Sequence, residues 1–254
     1  MFNKVLINKD KRFSLLGSLA QPVHELFYIG ETLDNLLSRP KIAIVGSRKV
    51  TPYGRQITRK IAGELAEAGV VVISGLALGV DSVAHQAVID VGGQTIAVLP
   101  SGVDRIYPAS HHALAQNIVR QRGVLLSEYP PHSGQPMKYQ FIARNRIIAG
   151  LSDGILITEA AINSGSLHTA EFALEQGKEV FSMPGNVTSA TSEGTNNLIK
   201  NGATPVTTAS DILEALGITP SAKLSYNPTN SRQNTILLLL GQDIHDIDIL
   251  LHMS

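Results

Sequence analysis

From residue 41 onward the chain alternates short runs that are apolar almost from end to end with amphipathic stretches of helix length. The runs are Lys41–Val45, Val70–Ser74, Gln94–Leu99, Val124–Ser127, Gly154–Thr158, Glu179–Met183 and, more weakly, Thr204–Thr207. A run with no polar alternation reads as a strand buried on both faces. Between the first two runs Ile57, Ile61, Leu65 and Ala68 recur at offsets of 4, 4 and 3, which places them on one helix face. Strands separated by helices are joined by right-handed crossovers into a parallel sheet. The pattern therefore predicts an α/β fold, Rossmann-like and doubly wound on a mostly parallel sheet. With 254 residues, 43% of them apolar, there is material for one sizeable core and smaller appendages.

The two ends read differently. Residues 1–40 hold only short helical or extended pieces, closed by Arg39-Pro40, and are expected as an N-terminal extension lying across an edge of the sheet. The Rossmann-like domain is expected over 41–216. Residues 217–232 carry two prolines, three serines and two asparagines and read as a linker. Residues 233–254 read as a small helical tail, with Asp243 as an N-cap.

Composition excludes several classes of function. The chain has no cysteine, hence no disulfide, thiol nucleophile or cysteine-ligated metal, which suits a reducing compartment. Its longest apolar stretches, Val70–Ile73 and Ile236–Leu240, fall far short of the ~20 residues of a membrane helix. The amino terminus lacks the continuous apolar region of a secretory signal, so a cytoplasmic location is expected.

In an open parallel sheet, ligands bind outside the carboxyl ends of the strands, near the point where strand order reverses. The segments just after the runs are Gly46-Ser47-Arg48, Ser74-Gly75-Leu76-Ala77-Leu78-Gly79, Pro100-Ser101-Gly102, Glu159 with Ser164-Gly165-Ser166, and Pro184-Gly185-Asn186. Glycine lets backbone amides approach a ligand, and helix N-termini favour anions, so this set suits phosphate. Neither Gly-x-Gly-x-x-Gly after the first strand nor Gly-Lys-Ser/Thr occurs, which argues against a dinucleotide and against a P-loop. Asp81 and His85, four apart, lack a third metal ligand and read as a cap or buried hydrogen-bond pair. Glu159 and Glu171 are the carboxylates that a hydrolase would have to use here. No catalytic residue, metal or cofactor is expected.

Charge is balanced, 21 basic against 21 acidic residues, but unevenly spread. Residues 48–60 contain Arg48, Lys49, Arg55, Arg59 and Lys60 and no acid. A second cluster of Lys138, Arg144 and Arg146 surrounds Tyr139 and Phe141. Cations interleaved with aromatics suit single-stranded nucleic acid, whose phosphates need charge and whose bases need a flat apolar face. The same residues equally describe a solvated basic helix face with Phe141 in the core.

Several of these stretches together resemble the DNA-processing protein A (DprA/Smf) family. They are Val45-Gly46-Ser47-Arg48 with Tyr53-Gly54, Ser74 to Asp81 with Ala84-His85, and Ile106-Tyr107-Pro108. Ser127-Glu128, Phe141 to Gly150, Ser164-Gly165-Ser166-Leu167 with Thr169-Ala170, and Pro184-Gly185 complete the set, in order across residues 41–212. The resemblance implies a non-catalytic single-stranded DNA-binding protein that protects incoming DNA and helps load the recombinase RecA in natural transformation and recombination. It implies nucleic-acid contacts at Gly46, Ser47, Arg48, Gly75, Lys138, Phe141, Arg144, Asn145, Arg146, Ser164, Gly165, Ser166 and Lys178. It also implies a homodimer joined through Asn196 to Val206, with Asn196, Leu198, Ile199 and Pro205 at the interface. Ile142 departs from the proline that many members carry there, no amino-terminal helical domain is expected, and the tail resembles the opening of a winged helix. Two other readings use the same turns: a nucleoside-monophosphate phosphoribohydrolase, whose Pro-Gly-Gly-x-Gly-Thr sequence does not occur, and a nucleotide sensor.

Overall fold

The computed structural model describes residues 2–30 and 33–220. Met1–Ser221 forms one compact unit and Ala222–Ser254 a second. The second unit, with the expected tail and most of the expected linker, lies outside the described residues.

In chain order the elements are β1 (Asn3–Leu6), α1 (Ser14–Gly17), β2 (Glu25–Ile29), α2 (Leu33–Ser38), β3 (Lys41–Val45), α3 (Pro52–Glu67), β4 (Val71–Ser74) and α4 (Val80–Asp90). There follow β5 (Thr95–Val98), α5 (His112–Arg120), β6 (Val124–Ser127), α6 (Lys138–Leu151), β7 (Gly154–Ile157), α7 (Leu167–Glu175), β8 (Glu179–Ser182), α8 (Glu193–Lys200), β9 (Thr204–Pro205) and α9 (Ala209–Ala215). Every run singled out in the sequence is a strand of one sheet, ordered β1-β2-β6-β5-β4-β3-β7-β8-β9. From β6 to β9 all pairings are parallel. Strand order reverses at β3: the chain first moves outward to β6, then returns across β3 to β7. The crevice at the carboxyl ends of β3 and β7 is thus the topological switch point.

Side-chain alternation along the strands divides the core between the two faces. Ile42 and Ile44 of β3 pack with Val72, Leu156, α3, α4 and α9, whereas Ala43 and Val45 pack with Val71, Ile73, Ile155, α6 and α7. A third cluster sets Ala97, Leu99 and Leu125 against Ala115 and Ile118 of α5. Helix α3 forms where the apolar period indicates. Ile61 and Leu65 are fully buried, Thr51 is the N-cap, accepting from the Gly54 N–H, and Pro52 occupies the first turn, where its missing N–H costs nothing.

Residues 1–40 are more integral than an extension laid across an edge. β2 pairs antiparallel with β6 and β1 with β2, so they lengthen the sheet. Phe13, Leu16, Leu26, Leu33 and Leu36 belong to the same buried cluster as Ile147 and Ile148 of α6. Their apolar positions are too few per element to show a period, and burial comes only from packing against α6 and the sheet.

Candidate functional site

The loop after β3 carries Arg48 out of the sheet. Its base is tightly fitted: the Ser47 N–H donates to the Glu159 carbonyl at 2.7 Å and the Val80 N–H to the Ser47 carbonyl at 3.1 Å. Gly79, at φ +81°, faces this loop so closely that a Cβ there would lie 2.2 Å from the Ser47 oxygen. The exposed Arg48 guanidinium sits over the Phe141 ring, 5.2 Å from its centroid, and Tyr107 meets the same ring edge-on at 5.3 Å and 70°. Lys138, one turn before Phe141 on α6, is exposed and has no ion-pair partner among the described residues. Phe141 is half-buried and Tyr107 is 44% exposed. Phe141 is therefore neither a core side chain nor a free surface one. Tyr107 joins a cation and an aromatic that the sequence reading had singled out. Its place in the Ile106-Tyr107-Pro108 motif was the available signal, but nothing local showed that it touches Phe141.

Arg144 and Arg146 are corrections to the expected set. Arg144 is 4% exposed and donates to the carbonyls of Gly75, at 2.7 Å, and Val98. Burial pushes its pKa down to about 10, which leaves it charged at neutral pH. The Gly75 N–H in turn donates to Asp81 Oδ2 at 3.1 Å, so this one residue is held through its N–H by Asp81 and through its carbonyl by Arg144. Burial also raises the Asp81 carboxyl above its usual range. A Cβ at Gly75 would fall 2.4 Å from the Arg144 guanidinium, so this contact requires glycine here. Arg146 pairs with both oxygens of Glu128 at 2.9 and 2.6 Å and donates to the Gln21 carbonyl at 2.9 Å, which ties residues 1–40 to α6. Both guanidinium groups are committed inside the protein because α6 turns these positions toward the sheet and the N-terminal segment.

Glu159, at the end of β7, is 3% exposed. Its carboxylate accepts from the Thr51 N–H at 2.8 Å and from the hydroxyls of Thr51 and Thr191 at 2.7 and 2.9 Å. It thereby occupies the N-terminus of α3, the helix after the first parallel strand, where a dinucleotide pyrophosphate sits in folds of this kind. An anionic ligand at that point would displace an internal carboxylate. Glu171 lies elsewhere, on exposed helix surface and bonded to His168 at 2.9 Å. The two glutamates do not form a pair.

The remaining expected residues divide. Gly46 is close-packed, since a Cβ there would lie 2.7 Å from the Glu159 carbonyl. Asn145 donates to the Gly165 carbonyl at 3.3 Å, and Ser164 and Ser166 share a hydroxyl contact at 2.8 Å, so the 164–166 turn is braced to α6 with Gly165 exposed. Lys178 precedes β8 and so stands at the amino end of the parallel sheet, opposite Arg48; the structure does not bring the two cations together. Asn196 donates to and accepts from the Gly185 backbone, both at 3.1 Å, and its amide is used within the chain. His85 hydrogen-bonds Thr95, and no group of three metal-ligating side chains occurs among the described residues.

Residues 4–217 match the model of the DNA recombination-mediator protein A family. The chain belongs to this family. Protein Smf of Escherichia coli (strain K12) is 46% identical over 217 residues, which cover 84% of this chain and 57% of that protein. The X-ray structure of DNA processing protein A from Streptococcus pneumoniae superposes with a TM-score of 0.77 at 40% identity, covering 84% of this chain and 74% of that one. A structure of DNA processing protein A from Helicobacter pylori, described for its single-stranded DNA binding mode, superposes at 0.75 with 36% identity over 85% of this chain and 95% of that one. The chain spans little more than half the length of the Escherichia coli protein. In this DNA recombination-mediator family member, no helix of the described residues is long and apolar enough to cross a membrane.

Proposed function

We propose that this chain binds single-stranded DNA with little sequence dependence and without catalysis, and helps load the recombinase RecA onto it from a cytoplasmic homodimer. The observation that carries the DNA reading is the contiguous Arg48, Phe141 and Tyr107 cluster with Lys138 beside it. A guanidinium and an ammonium meet phosphate while two partly exposed rings offer stacking faces, and contacts of those two kinds carry little sequence information. The family's role as a recombination mediator supports the transfer to RecA, and the Helicobacter pylori relative supports the single-stranded ligand. The catalytic alternative is weakened by Glu159, whose carboxylate is engaged by Thr51 and Thr191, and by Glu171, which is exposed and bonded to His168 instead. For the homodimer, Leu198 and Ile199 of α8 and Pro205 lie at the β9 end of the sheet. Pro205 denies that edge a donor, so the subunits join through side chains rather than by strand addition.

The test is a fluorescence-anisotropy titration with single-stranded and duplex oligonucleotides of equal length at two salt concentrations. Single strands should bind more tightly, with a log-log salt slope of about −0.7 per phosphate contact. Arg48→Ala should flatten that slope by about one contact. Phe141→Ala should weaken binding by roughly 1–3 kcal/mol with the slope nearly unchanged. Equal affinity for duplex would overturn the reading.

A further inference from the structure

Apart from the cationic cluster, a second concavity of about 440 Å3 opens at the carboxyl ends of β7 and β8. That volume falls in the roughly 300–1,000 Å3 range of small-ligand pockets. Its walls include Thr51, Tyr53, Glu159, Gly185, Asn186 and Ser192, and no lysine, arginine or histidine lines it. A phosphate there would meet the Glu159 carboxylate without a compensating cation. The hydrogen-bonding groups instead call for an uncharged donor. A carboxylate offers about four lone-pair positions; three are filled by the Thr51 N–H and the Thr51 and Thr191 hydroxyls. One acceptor position remains. The Ser192 hydroxyl has no hydrogen-bond partner among the described residues. Tyr53, 51% exposed, stands at the rim with its hydroxyl on the Pro184 carbonyl at 3.3 Å, which holds the ring beside the opening.

We propose that this concavity takes an uncharged, amino-bearing nucleobase, with the ring against Tyr53 and the exocyclic amino group donating to Glu159. Adenine and cytosine carry that donor, whereas thymine presents a carbonyl at the same place. Any phosphate of the ligand stays outside, toward solvent. The base comes either from a free nucleoside or from an unstacked position of a bound strand, and the chemistry of recognition is the same. The proposal uses residues distinct from the Arg48 cluster and stands independently of it.

The test is isothermal titration of the full chain with adenosine, cytidine, thymidine and inorganic phosphate, together with anisotropy on oligo-dA and oligo-dT. Adenosine and cytidine should bind at least tenfold more tightly than thymidine, and phosphate should not bind. If the base belongs to a strand, oligo-dA should exceed oligo-dT. Tyr53→Ala should weaken binding roughly tenfold, and Ser189→Phe, which fills the cavity from its half-buried wall, should abolish both the nucleoside signal and any dA/dT contrast. Circular dichroism should show wild-type secondary structure in both variants. Arg48→Ala should leave nucleoside binding unchanged while weakening oligonucleotides, which separates this site from the cationic cluster. Equal binding of adenosine and thymidine, survival of nucleoside binding in Ser189→Phe, or the lack of both nucleoside binding and dA/dT contrast would overturn the proposal.

Discussion

His85 gives the fold a calculable sensitivity to acid. It is fully buried on α4, and its ring is bonded through Nδ1 to Thr95 Oγ1 at 2.8 Å. The Thr95 hydroxyl spends its proton on the Val72 carbonyl at 2.6 Å, so it accepts from His85 and the imidazole proton sits on Nδ1. A second proton would have to go to Nε2, which is buried and has no partner. Burial, with His111 and Arg144 nearby, lowers the pKa from 6.5 to about 3. The unfolded chain therefore binds more protons than the folded one between those values. Stability from this group is complete above pH 6.5 and lost as pH falls toward 3. At 1.36 kcal/mol per pH unit the loss is about 2 kcal/mol at pH 5 and approaches 5 kcal/mol near pH 3. His85→Asn keeps a donor where Nδ1 stands and removes the titration. It should cost about 1–2 kcal/mol at pH 7 for the space left behind. Urea unfolding followed by far-UV circular dichroism at pH 7 and pH 5 reads both chains, and the gap between them should close at pH 5. Asp81 and the surface carboxylates titrate in both proteins and cancel in the difference. A gap that is the same at the two pH values would refute the assignment of His85 as the buried neutral group.

The Arg146–Glu128 pair is expected to be structural: Arg146→Met should lower stability by about 2–3 kcal/mol because it leaves a mostly buried carboxylate unpaired, and adding Glu128→Gln should recover part of that. Chemical denaturation of the single and double variants measures the recovery. Gly75→Ala forces the Arg144 guanidinium off its two carbonyls and should cost about 2 kcal/mol, a Tm decrease of about 4–8 °C by calorimetry. A fall of less than 1 °C would show that Arg144 is not held there. Ile199→Asp should convert a two-chain species to one chain in sedimentation at micromolar concentration, with unchanged secondary structure. Wild-type protein that sediments as one chain would remove the dimer from the proposal.

The α/β class, the strand positions and the switch-point turns are legible in the sequence because they rest on local periodicity. Unbroken apolar runs such as Val124–Ser127 must be buried on both faces, and the Ile61 and Leu65 spacing belongs to a helix whatever packs on it. The glycine turns follow from backbone geometry at strand ends, so Gly46-Ser47-Arg48 can be placed before any fold is known. Tertiary structure decided how the charges are used. Arg48, Arg144 and Arg146 are the same residue type in basic, glycine-rich or aromatic surroundings. Only the direction in which α6 faces the sheet sends two of them inward, to Gly75, Val98 and Glu128, and leaves the third over Phe141. Lys178 and Arg48 are both cations next to parallel strands, but one precedes its strand and the other follows, and opposite ends of a sheet do not share a ligand. Glu159 reads as a possible catalytic acid until Thr51 and Thr191, 108 and 32 residues away, are seen to engage its oxygens. The strands at residues 3–6 and 25–29 have too few apolar positions to declare themselves, and the free edge of β6 made them part of the sheet. Periodicity is a property of neighbours in the chain, whereas the partner of a buried charge is chosen by packing between segments far apart in it.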